Sequence, residues 1–163
     1  MSRAKKKKLV AKVAAHVDGE IETMRKAALD AAEGATHAEA KPENDKDTRA
    51  LEASYLAAGQ AARFRELMAA RKQLDGLELL ELKKSAPICA SAVVTVEDED
   101  EKASTWFMLP WFGGVTVELD GKKVQVVTPP SPLGAALLGK TVGDAIEVPG
   151  KGGKRELTIT EVW

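Results

Sequence analysis

Apolar side chains follow two different rhythms along this chain. Val10, Val13, Val17, Ile21 and Met24 recur at three- and four-residue spacings within a proline-free, Ala-, Lys- and Glu-rich stretch over 4–33. That spacing predicts one stripe on a long helix. Gly34 is its stop signal, and Pro42 stands in the polar segment that follows. Helical spacing resumes near Thr48 and runs to about Leu74 through Leu51, Leu56, Phe64, Leu67 and Met68. Two helices of similar length joined by a short polar turn predict an antiparallel hairpin, a coiled coil. At 1.5 Å per residue, arms of about 28 residues extend roughly 42 Å, which suits a lever or probe. No third helix of comparable length follows for the pair to join.

From Ser85 the rhythm changes to two. "ASAVVTVE", "STWFMLP", "GGVTVELDGKKVQVVT", "AIEVPG" and "KRELTITEVW" are rich in β-branched and aromatic residues, which predicts strands. Asp120-Gly121 and the run from Gly150 to Gly153 are the turn signals. A short helix, roughly Pro132 to Leu138 and closed by Gly139, interrupts the strands. The expectation is an α+β chain: a hairpin over 1–84, then a small, mostly antiparallel sheet with one short helix over 85–163.

Charge divides at the same place. Residues 1–84 hold 17 Lys+Arg against 14 Asp+Glu, a net +3; residues 85–163 hold 7 against 11, a net −4. The acidic second part argues against free-standing nucleic-acid binding there. One cysteine, Cys89, excludes an internal disulfide framework. No apolar run approaches the roughly 20 residues of a membrane span, and the basic start lacks a signal-peptide core, so the expected location is cytoplasmic. His16 and His37 lie far apart with no cysteine cluster to make a zinc site. No phosphate loop or nucleophile elbow is present. Lys5 to Lys8 read as a solvated helix start and the run Glu97 to Glu101 as a solvated loop. Trp106, Phe107, Trp111 and Phe112 read as packing rather than a ligand site.

The segment from Val126 to Trp163 carries an ordered set of short motifs: Ser131-Pro132-Leu133, Leu137-Leu138-Gly139-Lys140, Val142-Gly143-Asp144, the Gly150 to Gly153 turn, and Glu156 to Ile159. In this combination it resembles the C-terminal domain of the bacterial GreA/GreB transcript-cleavage factors. The resemblance implies an FKBP-like fold for the second part. It also implies RNA polymerase as partner, docked through Ser131 and Pro132, with Pro130 where relatives often carry Asp. The hairpin would then thread the polymerase's secondary channel, reaching nascent RNA indirectly and DNA only through the polymerase. In that family two acids at the hairpin tip share a Mg²⁺ with the polymerase, and the factor stimulates the polymerase's own RNA cleavage without being an enzyme by itself.

Here the tip departs from the family pattern. With Tyr55 at the family's tyrosine position, the acid positions fall on Thr48 and Leu51, and Asp47 and Glu52 stand one residue out of register. One residue turns a helical side chain by about 100°. Asp45 and Asp47 are the candidate catalytic and metal-sharing acids, with Glu43 and Glu52 as alternates; Asp47 also suits a helix cap. Three readings stay open: a cleavage-stimulating factor, a non-cleaving homologue that inhibits or retunes the polymerase through the same channel, and a coiled-coil interaction module of another assembly.

Overall fold

The computed structural model describes residues 2–36, 48–83, 85–150 and 152–163. Helix α1 spans Ser2–Thr36 and helix α2 spans Thr48–Asp75. The Arg71 guanidinium donates to both carboxylate oxygens of Asp18, at 2.8 and 3.1 Å, and to Asp75 at 2.6 Å. That clasp fixes the sense of the pair. Were the helices parallel, Thr36 and Thr48 would stand about 60 Å apart, and twelve peptide steps reach at most about 45 Å. The helices therefore run antiparallel, as the spacing predicted.

By spatial contact the chain forms two compact units, Ala15–Asp75 and Met1–Ala14 together with Gly76–Trp163. The second unit holds strands β1 (Val93–Glu97), β2 (Ala103–Met108), β3 (Thr116–Leu119) and β4 (Lys122–Val127), helix α3 (Pro132–Leu137), then β5 (Ala145–Gly150) and β6 (Gly153–Val162). They make one sheet in the order β3-β4-β2-β1-β6-β5. Four ladders are antiparallel, and the β2–β4 ladder is parallel, with Phe107 opposite Val126. Asp120 and Gly121 both take positive φ, 51° and 77°, as a two-residue hairpin turn between β3 and β4 requires.

Alternation along the strands builds two buried layers. Val94, Val96, Met108, Val127, Leu157 and Ile159 pack with Leu137 of α3. Phe107, Val124 and Val126 are buried on the opposite face, so Phe107 and its neighbour Trp106 serve different sides of the sheet. The first turns of α1 belong to this unit, and Lys6, Leu9 and Val13 have no exposed surface. The buried stripe thus runs through Leu9 rather than Val10, and within the lysine run Lys6 is not solvated. Its Nζ donates to the Leu80 carbonyl at 2.7 Å, while Leu80 N–H donates to the Ser91 hydroxyl at 3.0 Å.

Candidate functional site

Asp45, Asp47, Glu43 and His37 lie outside the described residues, and Glu52 stands in the first turns of α2. Among the described residues no group of three or more His, Cys, Asp or Glu side chains comes together to hold a metal. The described part of the candidate site is the turn that opens α3.

Ser131 sits at the N-cap in extended conformation (φ −71°, ψ 154°), with Pro132 at the first helical position, where a missing N–H costs nothing. The Ser131 hydroxyl accepts from Gly134 N–H at 3.1 Å and donates to the Thr128 carbonyl at 2.7 Å. Thr128 also accepts from Ser131 N–H at 3.0 Å, and Ala135 N–H donates to Ser131 O at 2.8 Å. A Cβ on Gly134 would fall 1.9 Å from the Thr128 oxygen, so a hydrogen at this position is what lets helix and turn close on one another. The hydroxyl's single proton is engaged inside the turn. Ser131 therefore holds shape, and the surface it offers outward is Pro132, which is exposed together with Pro130.

The far end of α3 is tied down as firmly. Gly139 N–H donates to Ile88 O, and Ile88 N–H donates to Lys140 O, both at 2.8 Å. Gly139 and Gly143 take φ of 78° and 94°, the left-handed region glycine favours. The Asp144 carboxylate accepts from Thr141 N–H at 2.8 Å and from its hydroxyl at 3.1 Å. Those hydrogen bonds hold its pKa below the usual carboxylate value. Asp144 braces the turn.

Other candidate residues are self-contained. His16 is on the exposed side of α1, 3.5 Å from Glu20. In the run Glu97 to Glu101, Asp98 accepts from the backbone N–H groups of Asp100 and Lys102 at 3.1 and 2.9 Å. The run is a turn satisfied by its own backbone.

One feature of this surface carried no signal in the sequence. The Trp106 indole N–H is buried and finds no hydrogen-bond partner among the described residues. It lies at a groove of about 520 Å³ that Ser131 and Pro132 also line.

The family description "Transcription elongation factor, GreA/GreB, C-term" matches residues 87–163. Transcription elongation factor GreA of Magnetococcus marinus is 31% identical over 121 residues, covering 74% of this chain and 71% of that protein. GreA of Rhodospirillum rubrum is 38% identical over 71 residues, 44% of this chain and 42% of its own. Among solved structures, the transcription factor Gfh1 aligns over 94% of this chain and 92% of its own, at 22% identity and a TM-score of 0.42.

Proposed function

The chain belongs to the GreA/GreB family of transcription elongation factors, and from that premise we propose that it is a cytoplasmic accessory factor of RNA polymerase. It docks by the Ser131–Pro132 turn and brings the end of its hairpin through the secondary channel to the polymerase active site. The observation that carries this reading is the 31% identity over 71% of a GreA protein; the braced, outward-facing Pro132 supports the docking half.

In this reading Asp45 and Asp47 are the residues that act on the chemistry. Carboxylate oxygens suit hard Mg²⁺, and such an ion, held jointly with the polymerase, supplies activation of a hydrolytic water when bound. The chain's own part is delivery: α1 and α2 set the reach, the Asp18–Arg71 clasp sets the register of the two arms, and the α3 turn sets where the factor stops. The factor has no reaction of its own without the polymerase.

The test is a stalled, backtracked elongation complex given the purified protein and Mg²⁺. Short 3′ RNA fragments are expected, and Asp45→Ala with Asp47→Ala should abolish them while binding persists. Binding and inhibition without fragments would select the non-cleaving reading, which the one-residue displacement of Asp47 and Glu52 favours. Absence of polymerase binding would exclude both.

A further inference from the structure

Helix α3 is too short to cover the sheet it packs on. Six residues of helix extend about 9 Å, whereas six strands spaced about 4.8 Å apart make a sheet about 24 Å wide. Leu137 seals one part of the core face. The part beside the N-terminus of α3 stays open as the 520 Å³ groove, with Trp106 and Val127 below and Leu133, Val148 and Pro149 at its sides.

Two donor-bearing side chains, Trp106 and Arg155, line this groove and lack an acceptor among the described residues. Trp106 pairs across the parallel ladder from Gln125, yet its indole N–H makes no hydrogen bond among the described residues. Leaving a buried donor unmade is unfavourable, and native structures rarely keep one without a reason. Arg155 shares the Leu157–Ile159 side of β6, the side that faces the core, so an arginine occupies a core-face position where the strand runs past its cover. No carboxylate among the described residues pairs with it; Glu147 on the neighbouring strand is bonded to Lys154 instead. Ser131 has no proton left to offer, because Thr128 holds it. The wall formed by Gly113 and Gly114 follows Phe112, whose φ of 63° places a bulky residue in the left-handed region, a strained conformation that recurs at binding sites.

We infer that this groove takes a carboxylate carried on an apolar segment of the polymerase, bound between the Trp106 indole N–H and the Arg155 guanidinium. The inference rests on the docking reading above and names the residues that give that docking its selectivity. A carboxylate supplies acceptors to both donors at once, and the apolar walls suit the stem and neighbours of an Asp or Glu. A nucleic-acid backbone would call for a row of cations, and among the described residues the groove lining has one, Arg155. On docking, the half-exposed indole turns so that its N–H meets the incoming oxygen.

The experiment uses the full chain and purified bacterial core RNA polymerase, with affinity measured for wild type, Trp106→Phe, Arg155→Gln and Pro132→Ala. Loss of one charge-assisted hydrogen bond is expected to weaken binding about tenfold or more. Trp106→Phe should do so although the variant stays folded and melts cooperatively, since it removes the donor and leaves a smaller aromatic side chain packed on the core. In a Trp111→Phe, Trp163→Phe background, the remaining Trp106 emission should shift when polymerase is added. Wild-type affinity in both Trp106→Phe and Arg155→Gln, alongside weaker binding by Pro132→Ala, would overturn the inference and leave the docking reading standing. No polymerase binding by wild type would remove both. Binding of single-stranded RNA that Arg155→Gln abolishes would overturn it by making the groove a phosphate site.

Discussion

Lys6 is one of four consecutive lysines and has no exposed surface. It falls three residues before Leu9 and seven before Val13, on the buried side of α1, so helical spacing decides its burial while the lysine run around it reads as solvent-facing. Burial pushes its pKa from 10.5 down to about 8, with Cys89 and Glu81 opposing the shift. Between those two values the unfolded chain keeps the proton and the folded chain sheds it, so stability rises with pH there. The penalty is fully present below about pH 8. Against a Lys6→Met variant, wild type should gain up to about 3 kcal/mol between pH 8 and 10.5, measured as the difference of two denaturant midpoints across that range. A flat difference would show that the ammonium is not desolvated. Ser131→Ala removes the cap of α3 and should cost about 1 kcal/mol, read by thermal melting. Under the docking proposed above, it should also weaken polymerase binding, because Pro132 loses its support.

At the scale of elements, much was legible. The Leu and Val spacing placed both long helices, and "LDGKKV" placed a hairpin turn that the positive φ of Asp120 and Gly121 bears out. The short helix expected from roughly Pro132 does begin there. What stayed hidden is pairing between distant elements. Nothing local marks β2 and β4 as parallel neighbours, because a strand's rhythm reports which faces are buried and says nothing of its partner. The open groove beside α3 was hidden for the same reason: Trp106, Arg155 and Ser131 come from three elements. The Asp18–Arg71–Asp75 clasp is likewise invisible to helix periodicity. Arg71→Ala should cost the hairpin no more than about 1 kcal/mol, since Asp18 and Asp75 are largely exposed; a double-mutant cycle with Asp18→Ala measures the pair. At the other end of α3, Asp144→Asn should lower stability near neutral pH. Because hydrogen bonding depresses the Asp144 pKa, its contribution is present above the ordinary carboxylate value and lost as pH falls through the folded one.

At the scale of the whole molecule, the β unit is built from both ends of the chain. Leu9 and Val13 alone bring about 3–6 kcal/mol of apolar burial, set against a usual total of 5–15 kcal/mol for a domain. A fragment of residues 85–163 is therefore expected to lose cooperative melting and near-UV circular dichroism, whereas a sharp melt at the full-length temperature would contradict that dependence. Strand β6 lies between β1 and β5, and Trp163, just beyond it, exchanges two backbone hydrogen bonds with Val93 at 2.8 and 2.9 Å. On the ribosome, Leu9 and Val13 must wait for β6, which is made after them. The helical arms can form early, while the sheet stays split until β6 has been synthesised, a long-range closure of the slow kind. A chain lacking β6 thus keeps its helices but leaves Val94 and Val96 uncovered for quality-control proteases to find.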